Sequence, residues 1–195
     1  MVNVDLLGPN GLHLSPFVQY LKLRYYPGIA HYDVTPKDLN VTKIYDVLFI
    51  GSRSQRRNII LTSLSEIPGI KLKIVQDSIF GEARENIVRQ SHIVINLHFY
   101  EKNFETVRLF WLLSLGAFVI AEADLEINSR VMEEYKDSMV FSTYSDLVET
   151  VKKYLEPSMQ NERMKIATEG YQIIRKETPG EVMKPLLESS WGCLF

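Results

Sequence analysis

From Tyr45 onward, short continuous apolar runs alternate with helix-length segments, and this alternation restricts the fold more than any other feature of the chain. Asp46-Val47-Leu48-Phe49-Ile50 is the first run and ends at Gly51. Ile70 to Val75, His92 to Leu97, Ala117 to Ala121 and Met139 to Phe141 are the next strand candidates. Between them, Ser54 to Glu66 has helical periodicity with Ile59, Ile60 and Leu64 on one side, and Pro68-Gly69 stops it. Gly81 to Gln90 reads as a short polar helix. Phe104 to Leu115 reads as an apolar one, ended by Gly116 where a C-cap glycine belongs. Ser145 is expected to cap a helix through Tyr154. Strands apolar on both faces and spaced by single helices belong to a parallel sheet covered on both sides. Right-handed crossovers then leave few topologies. The expectation is an α/β fold with a five-stranded parallel sheet of order 2-1-3-4-5.

The flanks read differently. Residues 1–43 contain Pro9, Pro16, Pro27 and Pro36. Ser15-Pro16 looks like an N-cap with a first-turn proline, opening a helix to about Tyr25 ahead of an extended connection. After Pro157, helices are expected over Glu162 to Lys176 and Pro179 to Ser189. The predicted units are therefore an extension (1–43), the α/β domain (44–156) and C-terminal helices (157–195).

Composition narrows the function classes. A net charge of −2 gives no basic excess for nucleic acid or anionic membranes. The one cysteine, Cys193, permits neither an intrachain disulfide nor a Cys-based metal site, which fits a reducing, cytoplasmic compartment. Met1 to Asp5 lacks the basic and apolar regions of a signal peptide. The stretch from Leu109 to Ala121, broken by Ser114 and Gly116, falls short of the roughly 18 residues of a membrane span. No P-loop, Gly-x-Gly-x-x-Gly, nucleophile elbow or metal-ligand histidine spacing is present.

In a sheet of this order, ligands bind beyond the carboxyl ends of the strands where the order reverses. Two groups of residues fall there. One is Gly51-Ser52-Arg53-Ser54-Gln55-Arg56-Arg57: a glycine that admits close backbone approach, a helix N-terminus, and guanidinium forks suited to phosphate oxygens. Its bland alternative is an ordinary strand-to-helix turn with solvated arginines. The other is Asn96, His98, Glu105, Thr106 and Arg108, at a strand end and the following helix start. There a carboxylate could accept sugar or ribose hydroxyls and Arg108 could meet a phosphate. Taken singly, Glu105 also fits a favourable helix-start charge paired with Arg108, and His98 a structural histidine. Convergence of the two groups on one switch point favours the functional reading.

The chain from 45 onward also resembles the C-terminal, donor-binding domain of GT-B glycosyltransferases, especially group-1 transferases related to bacterial spore-maturation proteins. The resembling pieces are residues 45–52 with Arg56-Arg57, residues 80–98, 104–110 with 115–120, and 144–151 leading to Arg163 through Tyr171. The resemblance implies a Rossmann-like domain holding a nucleoside-diphosphate sugar, with Gly51 ending the first strand, Arg108 touching the donor and Glu105 as the acidic residue at that helix start. It implies a metal-independent transferase with no cofactor beyond the donor substrate. Arg53, Arg57 and Arg108 would offset the leaving diphosphate. The catalytic group is left unassigned, with Glu105 and His98 as candidates.

Two departures qualify it. Many relatives hold the ribose with a glutamate where this chain has Trp111. GT-B enzymes also bind acceptor on a separate N-terminal domain, so a dimer mate or a separate acceptor-domain chain would have to supply that wall. Two functions stay open at this point: the donor half of a glycosyltransferase, and a non-catalytic interaction or nucleotide-binding module derived from that fold. A receiver-type signalling domain fits less well, because strand one does not end in a carboxylate.

Overall fold

The computed structural model describes residues 41–76, 79–100, 106–123 and 129–176. The helix expected after Ser15-Pro16, most of the 26–43 connection, the helix expected over Pro179 to Ser189, and Glu105 lie outside these residues. The strands are β1 (Tyr45–Ile50), β2 (Leu72–Val75), β3 (Ser91–Asn96), β4 (Val119–Glu122) and β5 (Val140–Ser142). The α-helices are α1 (Gln55–Ser65), α2 (Gly81–Arg89), α3 (Thr106–Ser114), α4 (Ser129–Glu134), α5 (Leu147–Leu155) and α6 (Gln160–Lys176). The five strands form one sheet in the order β2-β1-β3-β4-β5. Every pairing is parallel, as the alternation predicts.

The continuous apolar character of β1 follows from its having a core on each face. Val47 and Phe49 pack with Ile60, Leu61 and Leu64 of α1 and with Leu147 and Val151 of α5. Leu48 and Ile50 face the other way, toward Val88 of α2, Leu109 and Leu113 of α3, and Tyr171 and Ile174 of α6. Leu64 is fully buried, so truncating it to alanine would cost about 2–5 kcal/mol.

The ends of α1 and α3 have local causes. Ser54, in extended conformation, caps α1 by accepting the Arg57 N–H at 3.2 Å. Gly116, at φ 66°, follows α3 and donates its N–H to Leu113 O at 2.9 Å. That is the left-handed C-terminal conformation a glycine adopts without Cβ strain.

Three details differ from the sequence expectation. Ile59 is 55 % exposed. The buried stripe of α1 is instead Arg57, Ile60, Leu61 and Leu64, at i, i+3, i+4 and i+7. Asp146 rather than Ser145 occupies the N-cap of α5. The Ser145 hydroxyl instead pairs with Thr143 Oγ1 at 3.0 Å, and Thr143 Oγ1 donates to Asp146 Oδ2 at 2.6 Å, so the turn satisfies its own polar groups. Helix α4 was not anticipated, because its six residues are too few for a periodic apolar pattern.

Helix α6 lies against α3 through Gly170. A Cβ there would fall 2.6 Å from Ser138 O and 2.8 Å from Leu113 Cδ2. Among the described residues, no helix is long and apolar enough to cross a membrane.

Candidate functional site

The described members of the two groups singled out by sequence meet at the carboxyl ends of β1 and β3, neighbours at the point where strand order reverses. Gly51 continues the β1–β2 pairing by donating its N–H to Val75 O at 2.9 Å. Its φ of 148° is one that side chains rarely adopt. A Cβ on Gly51 would sit 3.3 Å from both terminal nitrogens of Arg108. The glycine therefore lets the chain turn and lets a guanidinium rest against that turn. Beside them opens a cleft of about 380 Å³. Gly51 and Ser52 form its β1 side, Val75 and Gln76 its β2 side, and Phe99 and Arg108 its β3–α3 side. Phe80, 73 % exposed, and Arg84 stand at the start of α2 and also line it.

The arginines of the first group have three different situations. Arg57 also lines the cleft, yet the residue is only 1 % exposed. Its Nε and Nη2 donate to Leu97 O at 3.1 and 2.5 Å, and its Nη1 donates to Ser52 O at 2.9 Å. The rings of Phe49 and Phe99 lie 5.4 and 5.1 Å from its guanidinium carbon. Arg57 thus ties the loop after β1 to the loop after β3. Arg56 forms a bidentate pair with the Glu122 carboxylate and stacks 3.9 Å above the Tyr144 ring. The Tyr144 hydroxyl donates to Arg56 O at 2.8 Å. Burial raises the phenol's pKa, with Arg56 acting against that and Glu122 reinforcing it. Arg53 is the exposed member of the group. The picture of solvated helix arginines therefore does not hold for Arg56 and Arg57.

In the second group, Arg108 Nη1 donates to Asn96 Oδ1 at 3.4 Å. His98 is 1 % exposed. Its backbone N–H donates to Glu122 Oε2 at 2.9 Å, and its Nδ1 lies 3.7 Å from Glu122 Oε1. One carboxylate at the end of β4 thus fixes both Arg56 and the His98 backbone. Thr106 opens α3. Gly51, Ser52, Arg57 and Arg108 line the cleft; Asn96 and His98 are buried behind it.

Sequence reasoning did not single out Arg84 or Glu122. Arg84 stacks 3.9 Å from the Trp111 ring, at the position where the resemblance implies a ribose-holding glutamate. No local pattern marks Glu122, since its partners come from α1 and from the loop after β3. A larger hollow, about 560 Å³, lies by β5 between α4 and α6. It is away from the strand-order reversal, and Lys136 on its rim pairs with Glu133 at 2.7 Å. The smaller cleft is the candidate site, because backbone, guanidinium groups and strand ends converge on it.

Residues 56–188 match the glycosyl transferase-like family. Over 134 residues the chain is 27% identical to "Uncharacterized protein R358" of Acanthamoeba polyphaga mimivirus, covering 67% of this chain and 46% of that protein. It therefore spans about half the length of this curated relative. Among solved structures, it is similar to the C-terminal domain of a glycosyl transferase group 1 family protein (LpcC) from Francisella tularensis. That match has 13% identity and a TM-score of 0.46, covering 72% of this chain and 89% of that one. Spinosyn forosaminyltransferase SpnP is similar at 14% identity and a TM-score of 0.45, covering 80% of this chain and 46% of that chain. The family match extends over most of the parallel sheet and its flanking helices, and by it the chain belongs to the glycosyl transferase-like family.

Proposed function

We propose that the cleft holds the diphosphate of a nucleoside-diphosphate sugar, and that the chain is the donor-binding half of a glycosyltransferase that passes a hexose to an acceptor. The observation that carries this reading is the seating of the Arg108 guanidinium against the positive-φ turn at Gly51. A diphosphate there would meet backbone at close range, the Arg108 fork, and the positive end of α1. As the glycosidic carbon–oxygen bond breaks, its electron pair moves onto the leaving phosphate oxygen. Arg108, and Arg84 across the cleft, stabilise that charge without a metal. Arg57 acts by holding the two loops at a fixed separation, and Arg53 stands exposed beside the β1 turn.

In this reading His98 shapes its loop through Glu122, its imidazole being 2% exposed. Glu105 is the candidate for sugar hydroxyls. The acceptor wall comes from a second copy or a separate acceptor-domain chain, in the cytoplasm.

A second reading rests on Trp111. The ring stacked on Arg84 occupies the ribose-holding position, which suits a nucleotide-binding or interaction module without turnover. A thermal-shift panel of uridine, guanosine, thymidine and cytidine diphosphates and their sugars tests donor binding, because a ligand of the native state raises the melting temperature by mass action. One nucleotide should raise it in the wild type and leave Arg108→Ala unmoved. A flat response across the panel at millimolar concentrations would remove the donor proposal. Release of free sugar from the stabilising donor would separate an enzyme from a module that only binds.

A further inference from the structure

The peptide unit between Leu97 and His98 is gripped at both ends. Its carbonyl oxygen accepts from Nε and Nη2 of Arg57 at 3.1 and 2.5 Å. Its N–H donates to Glu122 Oε2 at 2.9 Å. The unit lies just past Asn96, the last residue of β3, which pairs with Ala121. Both residues that share it are buried. A buried peptide beyond the ladder needs partners of its own, and here both are charged side chains. The arrangement also has a polarity. The positive end of the peptide dipole meets a carboxylate and the negative end a guanidinium. Turning the peptide over would set its oxygen against Glu122 and its N–H against Arg57, and would lose all three bonds.

The two grips are not independent. Glu122 forms its bidentate pair with Arg56, the residue before Arg57 in the first turn of α1. A closed circuit therefore runs from α1 through Arg57 to the peptide, on to Glu122, and back through Arg56 to α1. The next residue along the chain is Phe99, which lines the cleft with its ring 5.1 Å from the Arg57 guanidinium carbon. Glu122 stands behind this wall, buried at the end of β4. We infer that Glu122 is a positioning residue for the candidate site: by fixing which way the 97–98 peptide faces, it sets where Phe99 stands in the cleft. The grip does not rest on the donor reading above; only the identity of the ligand that Phe99 would meet does.

The test uses the full chain with Glu122→Gln and Glu122→Ala. Glutamine keeps an oxygen for the His98 N–H and alanine has none, while both lose the ion pair with Arg56. A Glu122 with only a structural role would make the two variants differ in stability alone. The double variant Arg56→Leu/Glu122→Leu also lacks the acceptor but leaves neither charge of the pair buried alone, so it serves if Glu122→Ala does not fold. Isotope labelling confined to histidine gives one backbone amide signal for each of His13, His31, His92 and His98, the last assigned by its loss in His98→Gln. The His98 amide should lie downfield in the wild type and in Glu122→Gln. In the variants without an acceptor it should move upfield and exchange its hydrogen about tenfold faster or more. A His98 amide indifferent to loss of the carboxylate would overturn the grip. Fluorinated phenylalanine reports the wall, with the Phe99 signal assigned by its loss in Phe99→Leu. That signal should shift or split only in the variants without an acceptor. A Phe99 signal that stays put while the His98 amide moves would overturn the positioning. Inorganic pyrophosphate is the probe of the cleft itself. Its affinity should fall about tenfold in the variants without an acceptor and about twofold at most in Glu122→Gln. Wild-type affinity in a variant whose Phe99 signal has moved would overturn the role of Glu122 at the site. If the wild type binds neither pyrophosphate nor any nucleoside diphosphate, the donor reading fails, and the amide and fluorine signals still decide whether Glu122 places Phe99.

Discussion

Arg57 provides the sharpest test of how the two site loops are held. An exposed phosphate-binding arginine could be truncated with a change in stability of about 0.5 kcal/mol or less. Arg57 is instead buried, and it supplies hydrogen bonds to Leu97 O and Ser52 O, two carbonyls on different loops. Replacing it with alanine removes the donors of both. The Leu97 carbonyl is buried, and leaving it unsatisfied costs about 1–3 kcal/mol, whereas Ser52 is exposed and its carbonyl can turn to water. The space between the Phe49 and Phe99 rings is vacated as well. With the lost packing added, Arg57→Ala should destabilise the fold by about 2–4 kcal/mol. Arg57→Lys keeps the charge but presents no planar fork, so it can bridge the two loops only poorly and should cost about 1–2 kcal/mol. The assay is urea unfolding, with the midpoint read at constant m so that the shift reports stability and not a changed unfolded state. A midpoint for Arg57→Ala within about 0.5 kcal/mol of wild type would refute the strut and return Arg57 to the pool of surface cations.

Other outcomes follow from the same geometry. Gly170→Ala in α6 should destabilise by about 1–3 kcal/mol by urea unfolding, opposite in sign to the usual gain of roughly 1 kcal/mol for this change in a helix, because the new methyl meets Ser138 O at 2.6 Å. Glu122→Gln keeps an acceptor for the His98 N–H but loses the charge opposite Arg56; a cost of about 1–3 kcal/mol in urea, larger for Glu122→Ala, is expected. His92 has its pKa lowered by burial first, then by Arg163 and Lys43, with Asp46 opposing. The unfolded chain therefore takes the proton first. The stability His92 contributes is complete above its ordinary pKa of 6.5 and is lost as pH falls below it. His92→Asn should flatten the acid-side decline of the urea midpoint, and an identical decline in that variant would dismiss the titration of His92 as its cause.

The sheet was legible in sequence because both faces of its inner strands are buried, so β1, β3 and β4 show as unbroken apolar runs. Crossover handedness narrowed the strand order to a few topologies, of which the expected one is the one found. The apposition of Gly51 and Arg108 was legible for the same reason: adjacent parallel strands end on the same side. What escaped was the state of individual charges. Arg57 carried a usable signal, since it stands at the first position of the i, i+3, i+4, i+7 stripe completed by Ile60, Leu61 and Leu64. Neither expectation for it, a phosphate partner or a solvated helix arginine, included burial in that stripe, because arginine is seldom buried without a partner. Glu122 gave no such signal, because Arg56 lies 66 residues away in sequence. Arg84 meets Trp111 only through the packing of α2 beside α3, which no local pattern encodes.

Helix α6 has a practical consequence for shortening this chain. Ending the protein after α5, at residue 156, would strip Ile166, Tyr171 and Ile174 from the apolar layers that they complete, and would bare the groove beside Leu113 where Gly170 now lies. The freshly wetted patch would adjoin β5, which is an outer strand among the described residues and can template pairing with another chain. Such a truncation should self-associate in gel filtration, whereas one ending at residue 176 would keep that surface covered.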